Sequence, residues 1–281
     1  MKYISVRAFF LLFILSIFAL ESNGQKLKVE EIVAKHLESL AKADARTALK
    51  SFISVGDASA KFTSTKDQLV IGRIVLASEG TKNFFGLNMN STSYAGERFS
   101  FDGKNVHVAF LQQGKRSILG NFIQSNTRIV EEGIFGGVLS SSWLLFNLNE
   151  NGKKLSYSGM KKIGDNEAYV LGYAVKGGDI DVAMYFEKDT FRHLRTEYKR
   201  ISSAGIGLRP EDSTRFSESR LKVTEDFVDF KVVNGLTLPH EYKLSYSITG
   251  GGGTTEIEWV FKLNEFAINQ KLEANTFDAI P

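Results

Sequence analysis

Over much of this chain apolar side chains recur at every second position, the period of a strand with one buried face. In residues 167–175, Tyr169, Leu171, Tyr173 and Val175 fall on one side. In 236–249, Tyr242, Leu244, Tyr246 and Ile248 alternate with Glu241, Lys243, Ser245 and Ser247, and in the returning run Ile257, Trp259, Phe261 and Leu263 keep the same period. Turn residues separate these runs: Gly164-Asp165-Asn166, Lys176-Gly177-Gly178-Asp179, Glu187-Lys188-Asp189-Thr190, Asn234-Gly235 and the link Gly250-Gly251-Gly252-Gly253. Gly, Asn and Asp tolerate positive φ, which reverses a chain between antiparallel strands. The pattern predicts a meander with strands at 167–175, 180–186 and 191–200, then a hairpin of 221–233 with 236–249. Further strands are expected at 58–62, 69–77, 83–88, 98–102 and 106–111, and a tail laid along the sheet over 264–281, closing at Phe277.

Three stretches depart from this period. Val29, Ile32, Val33, Leu37 and Leu40 form one stripe at helical spacing, with Glu30 and Glu31 in the first turn where the helix dipole favours acids. A second short helix is expected over 44–52, with Asp44 as its N-cap. In 134–146 apolar residues crowd around Gly136-Gly137 and Ser140-Ser141-Ser142. Phe135, Leu139, Trp143 and Phe146 suit one face of a short helix, and Leu144 and Leu145 make it apolar nearly all round, as in a segment packed inside protein or over a cavity. Residues 201–220, polar with Gly205, Gly207 and Pro210, read as a long exposed loop.

The 281 residues are 43% hydrophobic and 24% charged, an ordinary globular balance, with Phe plentiful at 22. No linker composition or internal repeat divides them, so a single domain over 25–281 is expected. The first 24 residues have the layout of a secretory leader: Lys2 and Arg7, an apolar run from Ala8 to Leu20, then Ser22-Asn23-Gly24. That run is short of the roughly 20 residues that span a bilayer. A mature start near Gln25 and export follow as expectations. Leaving out Lys2, Arg7 and Glu21 takes the net charge from +3 to about +2, too little for steering to a polyanion. No nucleic-acid partner is expected. Absence of Cys excludes disulfides, thiolate metal sites and a lipid anchor on cysteine.

Catalytic chemistry is not legible. His36, His107, His193 and His240 lack metal-ligand spacing, and His193 with Glu197 reads as two polar residues on one strand face. There is no nucleophile elbow and no phosphate loop. The acid pairs Asp179 with Asp181, Asp226 with Asp229, and Glu256 with Glu258 read as solvated faces rather than facing carboxylates across a cleft. No enzyme activity, metal or cofactor is expected. Tyr242, Tyr246, Trp259 and Phe261, with Phe135, Leu139, Trp143 and Phe146, are the candidate lining of a hydrophobic cavity or its lid; an ordinary packed core explains the same residues.

Six pieces in order resemble the LolA/LolB-like group of periplasmic outer-membrane lipoprotein-sorting proteins. They are the opening helix Glu30-Glu31-Ile32-Val33-Ala34-Lys35-His36-Leu37, the turn Phe101-Asp102-Gly103-Lys104, Asn166-Glu167-Ala168-Tyr169-Val170-Leu171, Tyr185-Phe186-Glu187-Lys188-Asp189-Thr190, the stretch from Asp229 through Asn234-Gly235 to Pro239, and the close from Asn264 to Phe277. The resemblance implies a mainly β fold: a curved, incomplete antiparallel β-barrel of about eleven strands covered by helices, with a cavity for acyl chains. It implies a non-enzymatic carrier or chaperone whose partners are lipid or lipoprotein acyl chains and envelope transport proteins, with only transient membrane contact. The alternative is a periplasmic scaffold or envelope-complex subunit with a packed interior and no lipid cargo.

Overall fold

In the computed structural model the described residues are 27–63, 68–110, 114–148, 155–202 and 218–278. The expected leader and most of the expected 201–220 loop lie outside them. Helix α1 (Val29–Leu40) starts where the Glu31 carboxylate accepts the backbone N–H of Lys28, and it buries Ile32, Val33, His36 and Leu40. Helix α2 (Ala43–Thr47) is shorter than the sequence suggests and begins after Lys42, not at Asp44. Residues from Ser51 onward go to a strand instead. There Phe52 pairs with Ser78 on one side and Ile268 on the other, and ladders on both sides satisfy the backbone better than one more helical turn.

Twelve strands are found among the described residues. They are β1 (Ser51–Phe62), β2 (Gln68–Glu79), β3 (Lys82–Met89), β4 (Gly96–Phe101), β5 (Val106–Val108), β6 (Leu155–Ile163), β7 (Asn166–Ala174), β8 (Asp181–Glu187), β9 (His193–Ser202), β10 (Ser219–Val233), β11 (Leu236–Gly250) and β12 (Gly253–Ile268). They form one sheet in the order β5-β4-β3-β2-β1-β12-β11-β10-β9-β8-β7-β6, antiparallel throughout. Two meanders, β1–β5 and β6–β12, are joined by the β1–β12 pairing. The edges β5 and β6 are not paired to each other, so the barrel is incomplete, as expected. The strand beyond the expected eleven is explained by β6. It is an edge strand with no buried residue, and its alternation is confined to Leu155 and Tyr157 against Ser156 and Ser158. Asn234 and Gly235 both adopt positive φ, 50° and 82°, the turn their sequence requires.

The sheet is strongly curved. Phe85 on β3 and Phe261 on β12 lie three strand spacings apart, about 14 Å in a flat sheet, yet their ring centroids are 6.0 Å apart. A register shift between Val55 and Gly56 sits in the β1–β12 pairing that joins the meanders, and such bulges bend and twist a sheet. A Cβ on Gly56 would lie 2.1 Å from the Lys262 carbonyl oxygen.

Inside the curve lies the connection between the two edge strands. It contains α3 (Ile118–Ser125), α4 (Arg128–Glu131) and two 3-10 turns, Gly137–Leu139 and Leu144–Asn147. The single short helix expected over 134–146 is not formed, because Gly136 and Gly137 take positive φ of 86° and 48° and interrupt it. Gly56→Ala is expected to lower stability by about 1–3 kcal/mol, the usual range for overpacking, measured by urea denaturation. An unchanged midpoint would show that the β1–β12 junction relaxes freely.

Candidate functional site

The inner face of the sheet and the segment 117–148 within it form the candidate site. Phe135 from the segment meets Phe85 (6.0 Å), Phe99 (5.5 Å) and Tyr198 (6.3 Å) by ring centroids. It thereby bridges β3 and β4 to β9 across the interior. Phe261 touches Phe85 and Tyr242, and Tyr246 faces Phe122 of α3. Of the eight residues read from sequence as cavity lining, Phe135, Leu139, Trp143, Tyr242, Tyr246, Trp259 and Phe261 are buried, and Phe146 is half-buried against the same core. A cavity of about 30 Å³ lies beside Leu76, Phe85, Phe99, Phe135 and Leu139. It has room for a water or two, and segment 117–148 fills the space around it.

An irregular segment inside a core carries backbone groups that need partners. Side chains of the sheet supply them. The Gly136 N–H donates to Glu225 Oε1 at 2.8 Å, and the same carboxylate accepts Tyr242 O–H on Oε1 (2.6 Å) and Tyr198 O–H on Oε2 (2.5 Å). Ser141 donates its N–H (2.8 Å) and hydroxyl (3.0 Å) to Ser78 Oγ on β2. Asn83 Nδ2 donates to the Val130 carbonyl (3.1 Å), and Tyr173 O–H to Glu132 (2.5 Å). At the start of the segment, Ser117 caps α3 by accepting the Gly120 N–H (2.7 Å) and donates to Glu97. Glu97 also accepts Tyr94 O–H (2.7 Å), and Trp259 Nε1–H donates to the Tyr94 oxygen (2.9 Å).

Trp143 ties the segment to α1. Its indole N–H donates to His36 Nε2 at 3.2 Å, so His36 carries its proton on Nδ1 and donates to the Phe191 carbonyl at 3.0 Å. Trp143 also stacks on His193 at 4.9 Å. The sequence reading of His193 and Glu197 as two polar residues on one strand face is corrected. A register shift between Tyr185 and Phe186 in the β8–β9 pairing accompanies an inward His193, packed on Phe186 and Phe227. Glu197 instead bonds Tyr185 O–H and lies beside Lys199 and Lys222. Gly137 passes so close to His193 that a Cβ there would sit 2.9 Å from the ring.

The buried ionisable groups are shifted in opposite senses. Burial pushes Glu225 up to about 7 against its three hydrogen bonds, and pushes Glu97 up to about 7 against those from Ser117 and Tyr94. Burial brings His36 down to about 4, with the Phe191 hydrogen bond opposing and Arg46 assisting. His193 is held well below the usual histidine value by burial and by His36. Sequence reasoning missed these polar members, although the acids left a signal. Glu225 sits in phase with Leu221, Val223 and Phe227, and Glu97 with Phe99 and Phe101, so each is an acid on an apolar face.

No family model matches the chain, and no curated protein matches it. Solved structures do match. A LolA superfamily protein from Nitrosomonas europaea is 12% identical at a TM-score of 0.48, covering 90% of this chain and 98% of that one. A domain assigned to outer membrane lipoprotein sorting from Vibrio parahaemolyticus is 12% identical at 0.42, covering 88% and 97%. A DUF1329 family protein from Desulfovibrio piger is 12% identical at 0.40, covering 89% and 97%. The chain is similar to LolA superfamily structures. At TM-scores under 0.5 these likenesses carry no argument about function.

A carboxyl whose folded value lies above its unfolded one contributes stability that is full below the unfolded value and lost as pH rises through the folded one. For Glu225 that window runs from 4.5 to about 7. His36 and His193 work the other way, so the comparison with Glu225→Gln isolates the acid. Wild-type stability minus that of Glu225→Gln, from urea unfolding, is expected to fall across this window. A constant difference would contradict the burial of an ionisable acid beneath the segment.

Proposed function

We propose that this protein is a non-enzymatic periplasmic carrier of lipid or lipoprotein acyl chains, in which segment 117–148 fills the acyl-binding concavity as a displaceable plug. One observation carries the reading. The curved apolar face is covered by a stretch of the chain's own connection between edge strands, with helices of only 8 and 4 residues. Such a cover lacks the ladder hydrogen bonds that lock strand to strand, so it can leave while the sheet stays intact. The exchange is energetically reasonable, since each buried CH₂ of an acyl chain contributes about 0.8 kcal/mol. Leu139, Trp143, Phe135 and Phe146 move with the plug, while Tyr242, Tyr246, Trp259 and Phe261 stay as the wall met by cargo. Envelope transport proteins as donors and acceptors, and transient contact with a membrane, belong to the same reading.

The tight interior favours a second reading, a periplasmic scaffold or envelope-complex subunit that never opens. A reversible lock separates the two. Ser78 Oγ and Ser141 Oγ lie 3.0 Å apart, and the chain has no cysteine, so Ser78→Cys with Ser141→Cys introduces a lone pair able to form a disulfide. Under the carrier reading the reduced double variant binds a pyrene-labelled fatty acid, and the oxidised form binds at least about tenfold more weakly, the loss of roughly 1.4 kcal/mol or more. Equal binding in both forms would refute the displaceable plug. Absence of binding in wild type, with no lipid in an organic extract of protein from its native envelope, would favour the scaffold.

A further inference from the structure

We infer that Glu225, with Tyr198 and Tyr242, is a head-group subsite that selects acyl ligands bearing a neutral N–H donor, of amide type, over anionic ones. The inference rests on the carrier reading and names the ligand chemistry of that same concavity. The Glu225 side chain lies on the inner face of β10 and is fully buried. Two of its hydrogen bonds come from the sheet itself, from Tyr198 on β9 and Tyr242 on β11, at 2.5 and 2.6 Å. These persist wherever the plug goes. The third comes from the plug, as the backbone amide of Gly136 at 2.8 Å.

Departure of the plug therefore leaves a fixed carboxylate lacking one donor, in a wall where Phe227 stacks on Tyr242 at 5.3 Å and Tyr242 meets Phe261 at 5.2 Å. A carboxylate in apolar surroundings is costly to leave short of a partner. The occupant that restores the closed-state pattern is one that carries an amide N–H beside an apolar chain, as Gly136 does beside Phe135. A carboxylate or phosphate head would instead place a second negative charge on Glu225 without a donor between them. Among the described residues no cation is bonded to Glu225. Asp226, the adjacent acid, is on the other face of β10, held by Arg195 at 2.6 and 2.9 Å.

The test uses the full mature chain and three probes with one pyrene-labelled dodecanoyl chain: the N-methylamide, the methyl ester and the free acid. At pH 8, above the value to which burial raises Glu225, the amide should bind about tenfold tighter than the ester, the usual scale of a hydrogen bond to a charged group. The free acid should be the weakest of the three. Glu225→Gln keeps the shape, removes the charge and offers both donor and acceptor, so the order should collapse while binding of the chain persists. The probe series on the wild type stands by itself if the variant fails to fold. Equal affinity for amide and ester in the wild type, or an unchanged order in Glu225→Gln, would overturn the subsite and leave the carrier reading intact. If no probe binds, both fall together.

Discussion

The structure depends on how the inner face of a single curved sheet is covered. A twelve-stranded antiparallel sheet with Phe85, Phe99, Tyr242 and Phe261 on one side cannot leave that side to water. Its cover is neither a second sheet nor a long helix, and an irregular cover brings unpaired backbone amides into a dry interior. The hydrogen bond from the Gly136 N–H to the buried Glu225 carboxylate satisfies one of these. A charged or chargeable acceptor under an apolar plug is a costly choice for stability alone. Its presence, with Tyr198 and Tyr242 already oriented toward it, makes sense if the covering donor is exchanged during function.

The same geometry explains why the segment is polar on its backbone and apolar on its side chains. Phe135, Leu139 and Trp143 supply the burial, while Ser78, Asn83, Glu97 and Glu225 on the sheet meet the polar groups. Trp143 adds a link of another kind. Through His36 it couples the plug to α1, and through the His36 bond to the Phe191 carbonyl it couples both to the β8–β9 turn. Movement of the plug must break a buried Trp–His bond and expose two neutral histidines. On the carrier reading, opening is therefore coupled to α1 and to the β8–β9 turn.

Much of the fold was legible because alternation is a local signal. The strands of Tyr242–Ile248 and Ile257–Leu263, the Asn234-Gly235 turn and the stripe of α1 can each be read within one window. What was not legible depends on partners distant in sequence. Ser51 to Val55 becomes strand because β2 and β12 flank it, β6 is an edge whose alternation is confined to its first four residues, and His193 turns inward beside a register shift in the β8–β9 pairing. The burial of 134–146 was legible in its apolar crowding but its conformation was not, since Gly136 and Gly137 break the helix that the side-chain spacing suggests. The site was half visible. The aromatic residues of the candidate site follow from composition and phase, whereas the only local signal of Glu97 and Glu225 is an acid in phase with apolar neighbours, which does not by itself show what the acid bonds.

The central claim is that segment 117–148 opens while the sheet stays folded, and amide hydrogen exchange tests it most directly. Exchange of the 134–144 amides, Gly136 above all, should proceed through a local opening well below the free energy of global unfolding, with β11 and β12 amides exchanging only at the global limit. Plug amides as well protected as those of β11 would show that cover and sheet unfold as one unit, and would contradict the account.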